Sequence, residues 1–211
     1  MDNTFNVVSI CAGAGGLDLG LRMAEPSAHT VLYVEYEATA CLQLVARMED
    51  GSLDPAPLWT DLRTLDGRAW RGVVDCIVAG IPCQPHSVAG KRLGAADERD
   101  LWPDTARVIG DVRPEWVFLE NVPAVLPYVF HRWLPELSEM GYVAEAALVQ
   151  ATDVGAPHRR ERLFLLAHAT GAQWGQGCEQ PAGQLAAAPE CCETERDVER
   201  LMSERICSRH G

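Results

Sequence analysis

The sequence predicts a doubly wound α/β fold with a mostly parallel sheet. Two observations lead to this prediction. Short apolar segments rich in β-branched residues, typical of buried strands, alternate with longer segments that have helical spacing. In addition, glycine-rich or polar residues directly follow several of the apolar segments, as they do where parallel strands end in loops.

The elements follow one another in strand and helix units. After the first strand comes the glycine loop AGAGG (12–16) and a helical pattern, and the helix after the second strand is expected to stop at Gly51. A third unit begins at LWTDLRTL (58–65), and Pro103 fits the first turn of a later helix. The predicted strands are FNVVSI (5–10), HTVLYV (29–34), VVDCIVAG (73–80), EWVFLENV (115–122), GYVAEAALVQ (141–150) and RLFLLAHA (162–169).

Length and composition limit the classes of protein. With 211 residues and 47% hydrophobic composition, the chain can bury one substantial core. No apolar stretch approaches the roughly 20 residues that span a bilayer, so no membrane partner is expected. A net charge of −12 argues against a surface that binds phosphate backbones by bulk electrostatics. The eight cysteines form no even framework and no secretory signal opens the chain, which favours a reducing cytosol.

The tail differs from the rest of the chain. Residues 169–211 begin rich in Gly, Gln, Ala and Pro without apolar periodicity, which predicts a linker-like segment after a domain of residues 1–168. ETERDVERLMSERI (193–206) has the spacing of one short amphipathic helix. The tail cysteines match no compact zinc knuckle, so no metal is expected.

One cysteine has an unusual setting in AGIPCQPHSVAGKR (79–92). Pro82 and Pro85 bracket Cys83 and force an irregular loop beyond a strand end. In an open α/β sheet, ligands bind at that edge. From this context alone, a catalytic or ligand-contacting thiol and an inert loop cysteine remain about equally open. Cys76, inside the preceding strand, fits a packed core residue.

A second group of residues predicts a nucleoside-bearing cofactor. Gly13, Gly15 and Gly16 suit a backbone that turns sharply and approaches a ligand closely. Glu35 ends the second strand about 20 residues later, where a carboxylate can accept hydrogen bonds from ribose hydroxyls. The alternatives are a plain βα turn for the glycines and an exposed strand end for Glu35.

Four blocks together identify a family. SICAGAGGLDLGL (9–21), GIPCQPHSVAGKR (80–92), WVFLENV (116–122) and VGAPHRRERLFLLA (154–167) resemble, in order and spacing, the characteristic blocks of the DNA (cytosine-5) methyltransferases. The resemblance covers residues 5 to about 168. It implies a Rossmann-like S-adenosylmethionine-dependent methyltransferase fold. The family's target-recognition domain, last cofactor-side motif and closing helix have no recognisable counterpart in the tail.

The resemblance implies roles for four catalytic residues. Cys83 matches the nucleophile, whose thiolate adds to C6 of cytosine so that C5 can accept a methyl group. Glu120 would hydrogen-bond or protonate N3 of the base, which requires a carboxyl group with a raised pKa. Arg162 would hold the base O2, with Arg160 supporting the pocket. Because C5 and C6 are shielded in a stacked duplex, the target base must be flipped out.

The resemblance also assigns binding residues. The glycine loop would hold the methionine end of S-adenosylmethionine, Glu35 the ribose, Tyr36 an adenine face and Asp61 the adenine amino group. The implied cofactor residues are Cys11, Ala12, Gly13, Gly15, Gly16, Leu17, Glu35, Tyr36, Asp61, Leu62 and Pro82, and the implied substrate residues are Gln84, Ser87, Asn121 and Val122.

Several single residues keep structural alternatives. Tyr36 could pack at the strand end, Asp61 could cap a helix, and Glu120 with Asn121 could cap the helix after Pro123. The RRER run (159–162) could be a solvated charge cluster.

The chain also departs from the family pattern in two places. The family usually has an aromatic residue where Cys11 stands, and its loss removes one stacking surface for the cofactor. It usually has glutamine where His158 stands, which puts backbone positioning in doubt more than the chemistry.

The sequence therefore predicts the catalytic region of a DNA (cytosine-5) methyltransferase, with S-adenosylmethionine as cofactor and DNA with a flipped cytosine as partner. The resemblance implies a cytoplasmic enzyme of bacterial or phage origin, of the restriction-modification type, whose recognition segment is missing or lies on a separate chain. Two other readings stay open: a catalytically impaired or split subunit that needs a partner, and a C5 methyltransferase that acts on RNA or a free nucleotide.

Overall fold

Seven strands of one β-sheet carry the site. The computed structural model describes residues 4–82 and 100–171. The strands are β1 (Phe5–Ile10), β2 (Ala28–Val34), β3 (Leu58–Trp59), β4 (Cys76–Ala79), β5 (Trp116–Asn121), β6 (Tyr142–Gln150) and β7 (Glu161–Ala169). Their order across the sheet is β3-β2-β1-β4-β5-β7-β6. The first five strands run parallel, and β7 is antiparallel to both of its neighbours. The predicted fold class is confirmed.

Helices connect the parallel strands as the sequence predicts. The second helix ends before Gly51, which has a φ of +78° that suits glycine, and Pro103 lies in the first turn of the third helix. The α-helices are α1 (Gly16–Ala24), α2 (Ala38–Glu49), α3 (Trp102–Val112), α4 (Leu126–Tyr128) and α5 (Leu134–Glu139), and a π-helical turn (Val129–Trp133) joins the last two. None of the helices within 4–82 and 100–171 is long and apolar enough to cross a membrane.

Two connections differ from a regular alternation of strand and α-helix. Between β3 and β4 the chain forms two 3₁₀ helices, Leu62–Thr64 and Gly67–Trp70. Asp61 and Asp66 each accept a hydrogen bond from a backbone N–H two residues later, which favours short capped turns over a longer helix. At the other edge, β6 and β7 form an antiparallel pair in which β7 inserts between β5 and β6.

The core lies on both faces of the central strands. Ile10, Ile77 and Leu119 are fully buried on one face, beneath α3 and the helical residues before β6. Val7, Cys76 and Val78 form a second cluster on the other face, against apolar side chains of α1. Cys76 is 2% exposed, so its interpretation as a packed core residue is confirmed. Burial on both faces explains why these strands read as continuous apolar runs.

The topology brings the predicted site residues to one edge. β1, β2, β4 and β5 are parallel, so their carboxyl ends lie at the same edge of the sheet. Because β7 runs the opposite way, its first residues lie at this edge too. Residues from the ends of the parallel strands and from the start of β7 can therefore meet.

Candidate active site

An open pocket of about 350 Å³ lies at this edge of the sheet. Residues from the predicted cofactor site and from the predicted catalytic site line the same pocket. The cofactor-site residues in its wall are Cys11, Ala12, Gly16 and Leu17, and the catalytic-site residues are Glu120, Arg160 and Arg162.

The glycine loop has a backbone that needs glycine at two positions. Gly13 has a φ of +56° and Gly15 a φ of +73°. A Cβ atom at Gly15 would lie 2.4 Å from Leu53 Cδ1, so a side chain there would meet both strain and a clash. The loop is further fixed by a hydrogen bond from Arg47 to the Ala14 carbonyl at 2.7 Å. These contacts hold the backbone between β1 and α1 in one tight conformation.

Glu35 is the acidic residue that joins the loop to the second strand. It is 8% exposed, so it is not an exposed strand end. The Gly13 N–H donates to Glu35 Oε2 and the Glu37 N–H donates to Oε1, both at 2.8 Å. A carboxylate oxygen has two lone pairs, so each oxygen keeps capacity to accept a further hydrogen bond. This carboxylate is positioned and can still bind a ligand hydroxyl.

The other predicted cofactor residues lie around the ends of β2, β3 and β4. Tyr36 is 74% exposed, which rules out a packed strand-end aromatic. Asp61 accepts a hydrogen bond from the Arg63 N–H at 3.0 Å and thus does cap the following 3₁₀ helix. Leu62 is buried, and Pro82, three residues after the end of β4, is exposed.

Cys11 has a neutral thiol in the pocket wall. Burial, and secondarily the negative charge of Glu35, raise its pKa to about 12. Its φ of +51° is unusual for a residue with a side chain. A thiol with this pKa is a poor nucleophile near neutral pH.

Glu120 and Arg162 form the polar centre of the site. Arg162 Nε donates to Glu120 Oε1 at 2.8 Å, and each side chain is 25% exposed. Arg162 also donates from Nη1 to the Glu161 carbonyl at 2.8 Å, which fixes the guanidinium plane. The other arginine of the pocket, Arg160, is exposed. The RRER run is thus divided: Arg162 is paired and half-buried, whereas Arg159 and Arg160 face solvent.

Asn121 connects two strand ends. Its side chain is 3% exposed and donates from Nδ2 to the Ile81 carbonyl at 2.9 Å. Its Oδ1 accepts from the Val122 N–H at 2.8 Å. The residue after Glu120 therefore fixes the backbone immediately before Pro82.

Three predicted residues, Cys83, Gln84 and Ser87, lie outside the described residues. Among those that are described, no group of three or more His, Cys, Asp or Glu side chains is arranged to hold a metal ion.

Two pocket residues were missed by the sequence analysis. Phe164 lies two positions after Arg162 on β7, and the alternation of side chains along a strand could have placed both on one face. Gly80 follows β4, and a Cβ atom there would lie 3.5 Å from the Cys11 carbonyl oxygen and 3.8 Å from Glu120 Oε2. Gly80 thus lies between the β1 end and Glu120 in the pocket wall.

Comparison with known proteins identifies the family of the chain. The family described as C-5 cytosine-specific DNA methylase matches residues 5–206. This chain belongs to that family. The matched range of the methylase family continues past residue 168, where the recognised blocks end, into the tail.

Individual relatives show how much of a methylase the chain represents. The Type II methyltransferase M.NgoMIV of Neisseria gonorrhoeae is 36% identical over 167 residues, which cover 77% of this chain and 51% of that protein. M.NlaX of Neisseria lactamica is 28% identical over 210 residues, covering 96% of this chain and 64% of its own length. A structure of a Spodoptera frugiperda DNMT2 variant superposes with a TM-score of 0.66 at 19% identity, over 87% of this chain and 54% of that one, and supports the fold. The chain thus spans about half the length of M.NgoMIV.

Proposed function

We propose that this chain is the catalytic region of a DNA (cytosine-5) methyltransferase, which transfers a methyl group from S-adenosylmethionine to C5 of a flipped-out cytosine. The observation that carries the proposal is the shared pocket, which is lined both by residues of the glycine loop and by the Glu120–Arg162 pair. A cofactor site and a base site must adjoin for direct transfer of a methyl group.

The described residues fit S-adenosylmethionine. Glu35 offers a positioned carboxylate to the ribose, exposed Tyr36 offers an aromatic face to the adenine, and the glycine loop allows close approach by the methionine part. When bound, the cofactor supplies an electrophilic methyl group on a sulfonium.

The protein's own residues would activate the base. The Cys83 thiolate forms a bond to C6, and the electron pair of the C5–C6 double bond moves to C5 and into the ring. Glu120, as a carboxylic acid, would hydrogen-bond or protonate N3 as negative charge builds on the ring. Arg162, which donates to Glu120 at 2.8 Å, would hold the O2 oxygen. After C5 has gained the methyl group, loss of the C5 proton restores the double bond and expels the thiolate.

A trapping experiment tests the nucleophile. DNA containing 5-fluorocytosine, incubated with the protein and S-adenosylmethionine, should form a covalent adduct because fluorine cannot leave as the proton does. Peptide mapping should find the base on Cys83, and Cys83→Ser should form no adduct. Cys41 lies on α2 outside the pocket wall, and serine there can still donate to the Glu35 carbonyl, so Cys41→Ser is the matched control and should react like the natural protein.

A label-transfer assay distinguishes the proposal from an RNA or nucleotide methyltransferase and from an impaired subunit. Labelled cofactor is offered with DNA, transfer RNA and deoxycytidine monophosphate in parallel. Label in DNA supports the proposal, whereas label mainly in transfer RNA or in the nucleotide contradicts it. An adduct on another cysteine of an active protein would reject the assignment of Cys83, and no cofactor binding at millimolar concentration would favour an impaired subunit.

A further inference from the structure

A polar and aromatic cluster outside the pocket lies around Asp100 and the start of α3. The Asp100 side chain is only 7% exposed. Its Oδ2 accepts from the Tyr128 hydroxyl at 2.6 Å and from Arg132 Nη1 at 3.1 Å. Its Oδ1 accepts from the Trp102 backbone N–H at 3.1 Å. One carboxylate therefore ties the start of α3 to the helical residues after β5.

Glu136 makes a parallel set of contacts. It accepts from Trp102 Nε1 at 2.7 Å and from Arg132 Nε at 2.8 Å. The Trp102 ring stacks on Trp133 with centroids 4.7 Å apart and planes 17° from parallel. Arg132 thus bridges two carboxylates. The Trp102 indole stacks on Trp133 and donates its N–H to Glu136.

The cluster depends on the π-helical turn. Arg132 and Trp133 both belong to this turn, which widens the helix between α4 and α5. A π-helical turn has less favourable packing than an α-helix and persists where surrounding contacts compensate it. Here the compensating contacts are those to Asp100, Trp102 and Glu136.

The residues just before Cys83 are tied as well. Asn121 holds the Ile81 carbonyl, two residues before Cys83. Residues 83–99 are thus bounded on both sides by contacts to the stretch that starts at Glu120 and continues through the π-helical turn.

We propose that Asp100, Tyr128, Arg132 and Glu136 are positioning residues for methyl transfer, because they fix the end of the cysteine-bearing segment relative to Glu120. This inference rests on the proposed function, in which Cys83 is the nucleophile. Half-buried ion pairs are weak evidence for stability, since an apolar cluster of the same volume often stabilises as well. What the charged groups add is direction: the Trp102 backbone N–H donates to Asp100, and directional side-chain hydrogen bonds tie Asp100 to Tyr128 and Arg132.

The test compares two Tyr→Phe variants. Tyr128→Phe removes a hydroxyl of the cluster, and Tyr142→Phe removes one that donates to the Pro114 carbonyl at 2.7 Å, at the start of β6. Asp100→Asn is a second, nearly isosteric variant of the cluster. The first readout is the rate of tryptic cleavage after Lys91 and Arg92, which needs no methyl transfer. The second is the rate of adduct formation with 5-fluorocytosine DNA, together with the affinity for S-adenosylhomocysteine.

We expect cleavage within 83–99 to be about tenfold faster in Tyr128→Phe and Asp100→Asn than in Tyr142→Phe. Adduct formation should be slower by a similar factor, while the affinity for S-adenosylhomocysteine stays within about twofold. Cleavage at the rate of the control would overturn the proposal, as would faster cleavage with unchanged adduct formation. If the natural protein forms no adduct but Tyr128→Phe and Asp100→Asn are still cleaved faster than Tyr142→Phe, the result supports the positioning of Asp100 and rejects the proposed function.

Discussion

At the scale of single residues, two carboxylates with different partners organise the site. The two oxygens of Glu35 accept from two different backbone N–H groups. Glu120 is paired with a guanidinium instead of with backbone. The first carboxylate shapes a loop, and the second is matched to a group on another strand.

Replacing Glu35 tests the cofactor site. In Glu35→Gln one carboxylate oxygen becomes an NH₂ group that must face a backbone N–H, so the loop loses an acceptor and the ribose loses its charged partner. The dissociation constant for S-adenosylhomocysteine should rise about tenfold, and the rise in melting temperature on binding should shrink. Glu37→Gln, an exposed neighbour, is the control and should bind within about twofold of the natural protein. Equal binding by both variants would contradict this role for Glu35.

The Cys11 thiol should react slowly with alkylating reagents near neutral pH. With a pKa of about 12, only about one thiol in ten thousand is ionised at pH 8, and alkylation requires the thiolate. Iodoacetamide labelling of Cys11 should therefore be very slow at pH 8 and rise about tenfold per pH unit as long as the fold persists. Peptide mapping of protein labelled at pH 7, 8 and 9 measures this directly. Fast labelling at pH 7 would show that the thiol is not held neutral.

At the scale of elements, the turn between β1 and α1 depends on one glycine more than on the other. At Gly15 a side chain would meet Leu53, whereas at Gly13 the space is open. Both positions have positive φ, so the difference between them isolates the packing contribution.

Gly15→Ala should lower the free energy of unfolding by roughly 2 to 4 kcal/mol, and Gly13→Ala by about 1 kcal/mol. Urea denaturation followed by tryptophan fluorescence provides the comparison. Combining Gly15→Ala with Leu53→Ala removes the clashing methyl group, so the double variant should lose at least about 1 kcal/mol less than the sum of the single losses. Additive losses would mean that Leu53 is not the obstacle.

At the scale of the whole molecule, the charge balance limits what the chain can do alone. The 211 residues carry a net charge of −12, and within residues 4–82 and 100–171 the cations of the pocket wall are Arg160 and Arg162, of which only Arg160 is exposed. Nonspecific binding to duplex DNA derives mainly from clustered cations. Flipping a paired base costs a few kcal/mol, which contacts to the surrounding duplex must offset.

The isolated 211-residue chain should therefore bind duplex DNA no more tightly than about 1 μM at physiological salt, with steep salt dependence. Any methyl transfer should favour single-stranded or mismatched cytosine over the paired base, because less unstacking is needed. Filter binding and label transfer to three oligonucleotides of one sequence, single-stranded, mismatched and paired, measure both. Efficient, sequence-specific methylation of the paired duplex would contradict the expectation and assign recognition to this chain.

Much of the fold and of the site follows from local sequence. The strands from β1 to β5 are bounded by apolar runs with glycine or polar ends, and these short-range signals depend on burial and turn geometry that a few neighbouring residues specify. Gly15 and Glu35 are predicted for the same reason, since a sharp turn and a strand-end carboxylate are local features. The family, too, was recognisable from four short blocks, and the comparison confirms it.

Tertiary structure alone decided how β7 meets β5. Nothing in RLFLLAHA specifies that the strand runs antiparallel and inserts between β5 and β6, because strand direction depends on pairing between residues far apart in the chain. That insertion brings Arg162 to Glu120 and places Phe164 in the pocket wall. Likewise, the contacts of Asp100 with Tyr128 and Arg132 span about 30 residues, and no periodicity records them. The sequence thus determined which residues are candidates, and long-range strand pairing and packing determined which of them meet.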